Sequence, residues 1–235
     1  MWMLDPRPNL ASIARLVEHA FELSEASNTP VFMDLRIRAC HVHGSFVAGA
    51  NRAPALSTRK PQAEAASFDY EHIPHPPATY RQEKLKMNVR MPAARKYIRE
   101  HKLNELFAGS ETGVGIICQG GLYNNLLRAL QLLGLADDFG NSPIPILALN
   151  VVYPLVPEEI SAFCEGKTAV LVVEEGQPEF IEQDIATLLR RADIQTRLHG
   201  KDLLIMAGEY TAEVIVHGLI GFLGTHAAHL DISAG

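Results

Sequence analysis

Two adjacent glycines, Gly120 and Gly121, follow an apolar run and precede a helical repeat, where the chain could bind a phosphate group. Free backbone N–H groups at the start of a helix hydrogen-bond anions. Tyr123 and Asn124 come directly after and would lie beside such a ligand. The segment QGGLYNN contains neither G-x-G-x-x-G nor G-x-x-x-x-G-K-[ST]. A tight strand-to-helix turn also explains the pair without a ligand, so these four residues are candidate cofactor-binding positions only.

A second group with possible chemistry lies in the stretch RACHVHG, which contains Arg38, His41 and His43. Two histidines at i and i+2 on an extended strand face the same side, so a metal site is conceivable. A third ligand would have to come from His72 or His75. Surface histidines in a polar loop are the simpler interpretation, and we predict no metal site.

A pair of acids, Glu174 and Glu175, ends an apolar strand. Ligands of open α/β sheets bind at this carboxyl edge, so a carboxylate here could bind a substrate hydroxyl. The simpler interpretations are that the pair caps the next helix or faces a partner subunit. The chain shows no Ser-His-Asp order, no G-x-S-x-G and no Cys-x-x-Cys. The residues alone therefore reveal no active site.

The elements that would position these residues alternate between strands and helices from Gly113 to Lys201. The first unit is GVGIICQGGLYNNLLRALQLLG, the second runs from PILALNVVYPL into PEEISAFCEG, and the third from KTAVLVVEEG into QPEFIEQDIATLLRRA. Continuous apolar runs are typical of parallel strands covered by helices on both faces. The pattern predicts an α/β fold with a largely parallel open sheet and flanking helices.

The segments on either side of this series are less regular. Residues 9–27 predict a helix and residues 31–39 a strand, whereas residues 44–82 show no period and predict a long linker. Residues 79–107 return to a helical period, interrupted at Pro92. A last helix, capped by Thr211, is predicted to bury Val214, Ile215, Leu219, Ile220 and Phe222.

Composition excludes several classes of protein. The 235 residues are 47% hydrophobic and 20% charged, as in ordinary globular proteins, and the net charge of -6 argues against broad nucleic-acid binding. No stretch approaches the roughly 20 apolar residues that cross a bilayer, and the N-terminus has no signal-peptide pattern. Three distant cysteines, Cys40, Cys118 and Cys164, are typical of reduced thiols. We expect a cytoplasmic protein without nucleic-acid or membrane partners.

Several segments together resemble the alpha-type indolepyruvate ferredoxin oxidoreductases. AFELSEASNTPVFMDLRIRACHVHG is similar to the end of that family's first domain, where a helix and a strand lead into an R-x-C/S-H stretch. PIPILALNVVYPLVPEEISAFCEGKTAVLVVEEGQPEFIEQDI resembles the second domain, with GVGIICQGGLYNNLLRAL as its first strand and helix. GEYTAEVI resembles the link toward the next domain. The match is a pattern of several segments that touches most of the chain outside the linker.

The resemblance implies a domain division. Residues 1–43 would be the tail of a pyrimidine-binding domain for thiamine diphosphate, and residues 44–82 a linker. Residues 83–207 would form an α/β domain like the transketolase C-terminal domain. Residues 208–235 would lead toward a diphosphate-binding domain outside this chain.

The resemblance also implies an activity: oxidative decarboxylation of aryl-pyruvates such as indolepyruvate to acyl-CoA, with ferredoxin as electron acceptor. The family uses thiamine diphosphate, Mg²⁺ and [4Fe-4S] clusters. This chain has no G-D-G…N stretch and no cysteine-rich run, so we expect no cofactor to bind to it. It would be scaffold and subunit contact, inactive alone, with Arg38 and His41 as candidates near the active-site cleft of the whole enzyme.

Partners follow from the same resemblance: the remaining domains or subunits of the oxidoreductase, ferredoxin through the whole enzyme, and further copies in a homo-oligomer. The alternative is a free-standing α/β module that binds a nucleotide or coenzyme A at Gly120 and Gly121. That alternative rests on the strand–glycine–helix turn alone.

Overall fold

The computed structural model describes residues 1–50 and 69–232. The strands are β1 (Trp2–Leu4), β2 (Val31–Met33), β3 (Glu105–Phe107), β4 (Val114–Gln119), β5 (Ile146–Leu149), β6 (Val151–Tyr153), β7 (Ala169–Val173) and β8 (Arg197–His199). The α-helices are α1 (Leu10–Ser27), α2 (Ile37–Cys40), α3 (Ala78–Leu85), α4 (Met91–Glu100), α5 (Tyr123–Leu132), α6 (Pro157–Cys164), α7 (Phe180–Arg191) and α8 (Ala212–His226).

Five strands form the main sheet in the order β3-β5-β4-β7-β8. The pairs β4–β5, β4–β7 and β7–β8 are parallel, and only β3 runs antiparallel, at an edge. Every residue of β5 and β7 is buried, as the continuous apolar runs predicted. The predicted α/β fold with a largely parallel sheet is confirmed.

Helices cover both faces of this sheet. On one face α5 and α8 pack against the side chains of Ile116, Cys118 and Leu171. On the other face α6 and α7 pack against Ile117 and Val172. Successive side chains of β4 thus enter opposite cores, as the two-residue period of a strand requires. Leu, Ile, Val and Phe make up most of each core.

A smaller sheet, in the order β2-β1-β6, attaches the N-terminal segment to the α/β domain. β1 pairs in parallel with β2 and antiparallel with β6. Its core joins Trp2 and Leu4 to α1, α4 and Val151. The run PILALNVVYPL, which reads as one strand, is divided at Asn150 into β5 of the large sheet and β6 of the small one.

The predicted strand over residues 31–39 is wrong beyond Met33. β2 pairs only with the three residues of β1, so no partner strand remains for the next residues. The chain turns into α2 instead, where Ile37 is 78% exposed and His41 lies at the C-terminal end with φ of -94°. His41 and His43 therefore do not share one face of a strand.

The helical stretch before the main sheet differs from prediction in two ways. It is not interrupted at Pro92: α3 continues through a π-helical segment, Lys86–Arg90, into α4. Proline lacks the N–H that would bond to the carbonyl four residues earlier, and a π segment directly before it accommodates that loss. The predicted helix over 79–107 also ends early, because residues 105–107 form β3.

The last helix is capped by Thr211, whose side chain accepts a hydrogen bond from the Val214 backbone N–H. Ile215, Leu219 and Phe222 are buried as predicted, but Ile220 is 45% exposed. A step of about 100° per residue turns Ile220 away from the line formed by the other three. α8 packs into the core of the main sheet.

Three other expectations concern the linker, the thiols and the membrane. Residues 51–68 of the predicted linker lie outside the described residues, and α3 begins within the predicted range, at Ala78. Cys118 and Cys164 are buried free thiols and Cys40 is an exposed one. Among residues 1–50 and 69–232 no helix has the length and apolar character needed to cross a bilayer.

Candidate functional site

Charged side chains from the N-terminal segment meet the carboxyl edge of the main sheet. We call this group the Arg36 network; it consists of Asp5, Arg36, Arg38, Gln119 and Glu175. Asp5 follows β1, the arginines lie in and just before α2, Gln119 ends β4 and Glu175 follows β7. Carboxyl ends of neighbouring parallel strands meet at one edge, which brings these distant residues together.

Arg36 is the centre of the network. Its Nη2 donates to Asp5 Oδ2 at 2.8 Å and to Gln119 Oε1 at 3.0 Å, and its Nη1 donates to Glu175 Oε1 at 2.6 Å. Asp5 is 1% exposed. Burial raises the pKa of the Asp5 carboxyl, and the Arg36 guanidinium opposes that rise. One guanidinium group thus joins a buried acid of the N-terminal segment to two strands of the sheet.

Glu175 receives donors from both sides. Its Oε2 accepts from Arg38 Nη2 at 3.0 Å and from the Tyr210 backbone N–H at 2.6 Å. Burial opposes ionisation, but the Tyr210 hydrogen bond and the two guanidinium groups outweigh it and hold the pKa of the carboxyl below its usual value. Glu175 is therefore an anion that fastens the N-terminal segment and the chain before α8 to the sheet.

A second polar contact lies beside Asn150, which is fully buried. Its Oδ1 accepts from the Arg7 backbone N–H at 2.8 Å, and its Nδ2 donates to Leu103 O and to Glu105 Oε2. Glu105 in turn accepts two hydrogen bonds from the Arg7 guanidinium, both 2.9 Å long. Such bidentate pairs fix orientation as well as adding attraction. The break between β5 and β6 thus serves as an anchor for residues 5–8.

Glu174 has a different task from its neighbour. Its two carboxylate oxygens accept the backbone N–H groups of Ile181 and Glu182, each at 3.0 Å. These are the orphan donors of the first turn of α7. Helix capping is confirmed for Glu174 alone, whereas Glu175 lies at a contact within the chain.

The candidate cofactor-binding residues all contact the N-terminal segment. Gly120 and Gly121 form a single 3₁₀ turn and are buried; a Cβ added to Gly121 would clash with the Asp5 carboxylate and with Arg36. Tyr123 is 4% exposed, with the Arg7 guanidinium 5.2 Å from its ring centre, and Asn124 Nδ2 donates to Pro8 O. The Asp5 carboxylate and its partner Arg36 thus occupy the space over Gly121 in which a phosphate would have to lie.

Of the two cleft candidates, only Arg38 joins the network; its Nη1 is a buried nitrogen without a hydrogen-bond partner. His41 is exposed at the end of α2. Within the described ranges, no group of three or more His, Cys, Asp and Glu is placed to hold a metal ion. The sequence interpretation did not single out Asp5, Arg7, Gln119 or Asn150. Asn150 had a visible signal, since it is the one polar residue inside an apolar run.

The part of the chain that forms the main sheet matches a known protein family. Residues 104–209 match the family model described as the indolepyruvate ferredoxin oxidoreductase middle domain. The predicted resemblance to this family is confirmed. The matched range contains β3 to β8 and ends just before the cap of α8. It therefore coincides with the main sheet, while residues of the N-terminal segment that complete the Arg36 network lie before it.

Curated relatives carry the same description over more of the chain. The indolepyruvate oxidoreductase subunit IorA of Methanothermobacter thermautotrophicus is 29% identical over 215 residues, 90% of this chain and 32% of the relative. The subunit of the same name from Methanothermobacter marburgensis is 28% identical over 235 residues, 99% of this chain and 36% of the relative. The chain thus spans about a third of the length of the curated relatives that it matches.

One solved structure has a similar fold. It is a 2-oxoglutarate:ferredoxin oxidoreductase from Magnetococcus marinus with 2-oxoglutarate, coenzyme A and succinyl-CoA bound. The match has a TM-score of 0.53 at 17% identity and covers 94% of this chain and 42% of that one. At this identity the likeness concerns the fold. It extends beyond the main sheet, because 94% coverage includes parts of the N-terminal segment.

Proposed function

We propose that this chain is a scaffold and contact segment of an oxidoreductase that decarboxylates aryl-pyruvates such as indolepyruvate to acyl-CoA, with ferredoxin as electron acceptor. The observation that carries the proposal is the middle-domain match combined with the Arg36 network, which locks an N-terminal segment onto that domain. The segment's chemistry is structural: each carboxylate of the network is bound by donors from this chain.

The chain's own residues do not fit the cofactors that such an enzyme would use. Thiolates hold iron–sulfur clusters, yet Cys118 and Cys164 are buried in the two opposite cores of the sheet and Cys40 is exposed elsewhere. A diphosphate over Gly121 would meet the Asp5 carboxylate. Thiamine diphosphate, Mg²⁺ and the clusters would therefore be held by other parts of the enzyme. The same carboxylate gives no support to a nucleotide or coenzyme A at these glycines.

The partners in this proposal are the other domains or subunits of the oxidoreductase, in a homo-oligomeric cytoplasmic enzyme that reaches ferredoxin through its clusters. Exposed apolar side chains on the N-terminal segment suit such contacts: Phe21 is 73% exposed and Phe32 49%. They lie on α1 and β2, on the segment that the Arg36 network holds in place.

The test compares this chain with a longer polypeptide that contains it and the flanking domains of the relatives. Calorimetry with thiamine diphosphate and Mg²⁺ should give no binding heat for the 235-residue chain and tight binding for the longer one. Indolepyruvate with coenzyme A should reduce methyl viologen only in the longer one. Tight cofactor binding by the short chain, or a longer protein inactive with every aryl-pyruvate tried, would overturn the proposal.

A further inference from the structure

A half-open cavity of about 490 Å³ lies at the carboxyl edge of the main sheet, next to the Arg36 network. Its wall is formed by Gln119 at the end of β4, by Val152 and Tyr153 of β6, and by the first turn of α7. Open α/β sheets bind their ligands at this edge, and ligand sites typically enclose about 300–1,000 Å³. Position and volume both suit a small molecule.

The apolar part of the wall combines a buried floor with one exposed aromatic ring. Val152 and Ile181 are buried beneath the cavity, at 8% and 7% exposure, whereas Phe180 is 65% exposed. An aromatic ring left in water beside an apolar floor gains free energy when a flat apolar body covers it. Tyr153 offers a second aromatic face in the same wall.

The polar part of the wall selects for charge. Glu174 and Glu175 have their oxygens engaged by donors from the chain, so neither is free for a ligand. Asp184 also lines the cavity, and no hydrogen bond or ion pair of its side chain is present in the described structure. The lining residues that the structure describes include no Lys, Arg or His. Glu175 is balanced by the guanidinium groups of Arg36 and Arg38, so Asp184 is the lining carboxylate that remains to meet the charge of a ligand.

We propose that this cavity binds a small arylalkylamine, with its flat ring between Phe180 and the Val152–Ile181 floor and its ammonium group at Asp184. The Asp184 carboxylate would attract an ammonium group and repel the phosphate of a nucleotide or coenzyme A. The inference concerns a site away from Gly120 and Gly121 and is independent of the function proposed above, since it needs no cofactor and no other domain.

The probe is 2-(1-naphthyl)ethylamine, and its matched control is 1-naphthylacetate, which has the same ring system and the opposite charge. Titration of the 235-residue chain, followed by calorimetry and by nuclear magnetic resonance, should show saturable binding of the amine at submillimolar concentration. The acetate should bind roughly tenfold more weakly or not at all. Chemical-shift changes should centre on Tyr153, Phe180 and Asp184.

Variants assign the binding to this cavity. Asp184→Asn should weaken the amine roughly threefold or more, and Phe180→Ala roughly fivefold. Both residues are exposed or largely exposed, so the variants should unfold at the parent's temperature. Glu165→Gln, which removes an exposed acid at the end of α6, should leave affinity unchanged. No saturable amine binding, equal binding of the acetate, or an unchanged affinity in Asp184→Asn would each overturn the proposal.

Discussion

The main sheet is stabilised by apolar packing, whereas the N-terminal segment also depends on buried ionic and polar contacts. β4, β5 and β7 are buried between two cores of Leu, Ile, Val and Phe. The N-terminal segment adds two three-residue strands, one long helix and the short α2. Besides the apolar core around Trp2 and Leu4, buried ionic and polar contacts at Asp5, Arg36 and Asn150 attach it to the sheet. An apolar core tolerates substitutions that conserve its volume, whereas removing one partner of a buried ion pair leaves the other charge buried and uncompensated. The first region should therefore be weakened mainly by loss of buried apolar volume, and the second also by loss of a single charge.

The largest effect is expected in the main sheet. Leu171→Ala removes a fully buried side chain from β7 and leaves a cavity that its neighbours cannot fill. We expect a loss of roughly 4 kcal/mol in the free energy of unfolding, measured by urea denaturation with both far-ultraviolet circular dichroism and tryptophan fluorescence. Trp2 is the only tryptophan and lies in the N-terminal core, which docks on β6 and loses that support when the main sheet unfolds, so this variant should shift both probes. A shift in one probe alone would contradict this expectation.

The next effect separates the two regions. Arg36→Met leaves Asp5 buried without its cation, and we expect a loss of roughly 3 kcal/mol in the same urea experiment, seen first in Trp2 fluorescence. Replacing both partners, as Asp5→Leu with Arg36→Met, should restore most of that loss. The control is Arg190→Met, an exposed arginine at the end of α7. Equal losses of unfolding free energy in Arg36→Met and in this control would mean that the buried ion pair does not stabilise the N-terminal segment.

A third change tests the close approach at the glycine pair. Gly121→Ala should cost roughly 2 kcal/mol, because the added methyl group would clash with Asp5 and Arg36. Gly224→Ala in α8 has open space around it and should stabilise the protein by about 0.5–1 kcal/mol. Thermal unfolding compares the two variants. An unchanged thermal stability of Gly121→Ala would mean that residues 5–8 do not contact this turn closely.

The fourth expectation concerns pH. The pKa of Glu175 in the folded protein lies below its ordinary value of 4.5, so its stabilising contribution is present above that value and is lost as the pH falls through the folded pKa. Glu175→Gln should therefore cost about 1 kcal/mol at pH 7 and progressively less below pH 4.5. Urea titrations of parent and variant across this range measure the difference. If the difference in the free energy of unfolding between parent and variant grew as the pH fell, the pKa of Glu175 would be raised and not lowered by folding.

The smallest effect is expected at a residue that sequence reasoning misplaced. Ile220→Ala should change the free energy of unfolding by less than about 0.5 kcal/mol, because the side chain is 45% exposed on α8. Phe222→Ala, two residues later and fully buried, should cost several times more. Thermal unfolding of both variants provides the check. Similar losses would place Ile220 in the core after all.

The main sheet could be predicted from sequence because its information is local. Apolar runs such as those around Ile116 and Leu171 specify buried parallel strands without knowledge of their neighbours. Helix ends were equally readable, since Thr211 and Glu174 act on residues only a few positions away. Alternation gave the wrong prediction at residues 34–39, where Leu35 and Ile37 are exposed and the described part of the chain supplies no partner strand.

The candidate site could not be derived in this way because its contacts are long-range. Arg36 meets Gln119 and Glu175 from 83 and 139 residues away, and periodicity carries no information about such pairing. The glycine pair could be recognised in the sequence, but its contact could not. Two small residues are required whether a ligand or the Asp5 carboxylate lies against the turn. Asn150 shows the intermediate case, in which a polar residue inside an apolar run marks a buried contact without naming its partner.

Amide hydrogen exchange, followed residue by residue, tests the central claim most directly. In the parent, the amides of β4 and β7 should exchange only through global unfolding, while those of β1 and β2 should open at lower free energy. Arg36→Met should then reduce protection in Trp2–Leu4 and Val31–Met33 and leave that of Val114–Gln119 and Ala169–Val173 nearly unchanged at low denaturant. A uniform loss of protection over both regions would contradict the account, since the N-terminal segment would then not be a separately fastened unit.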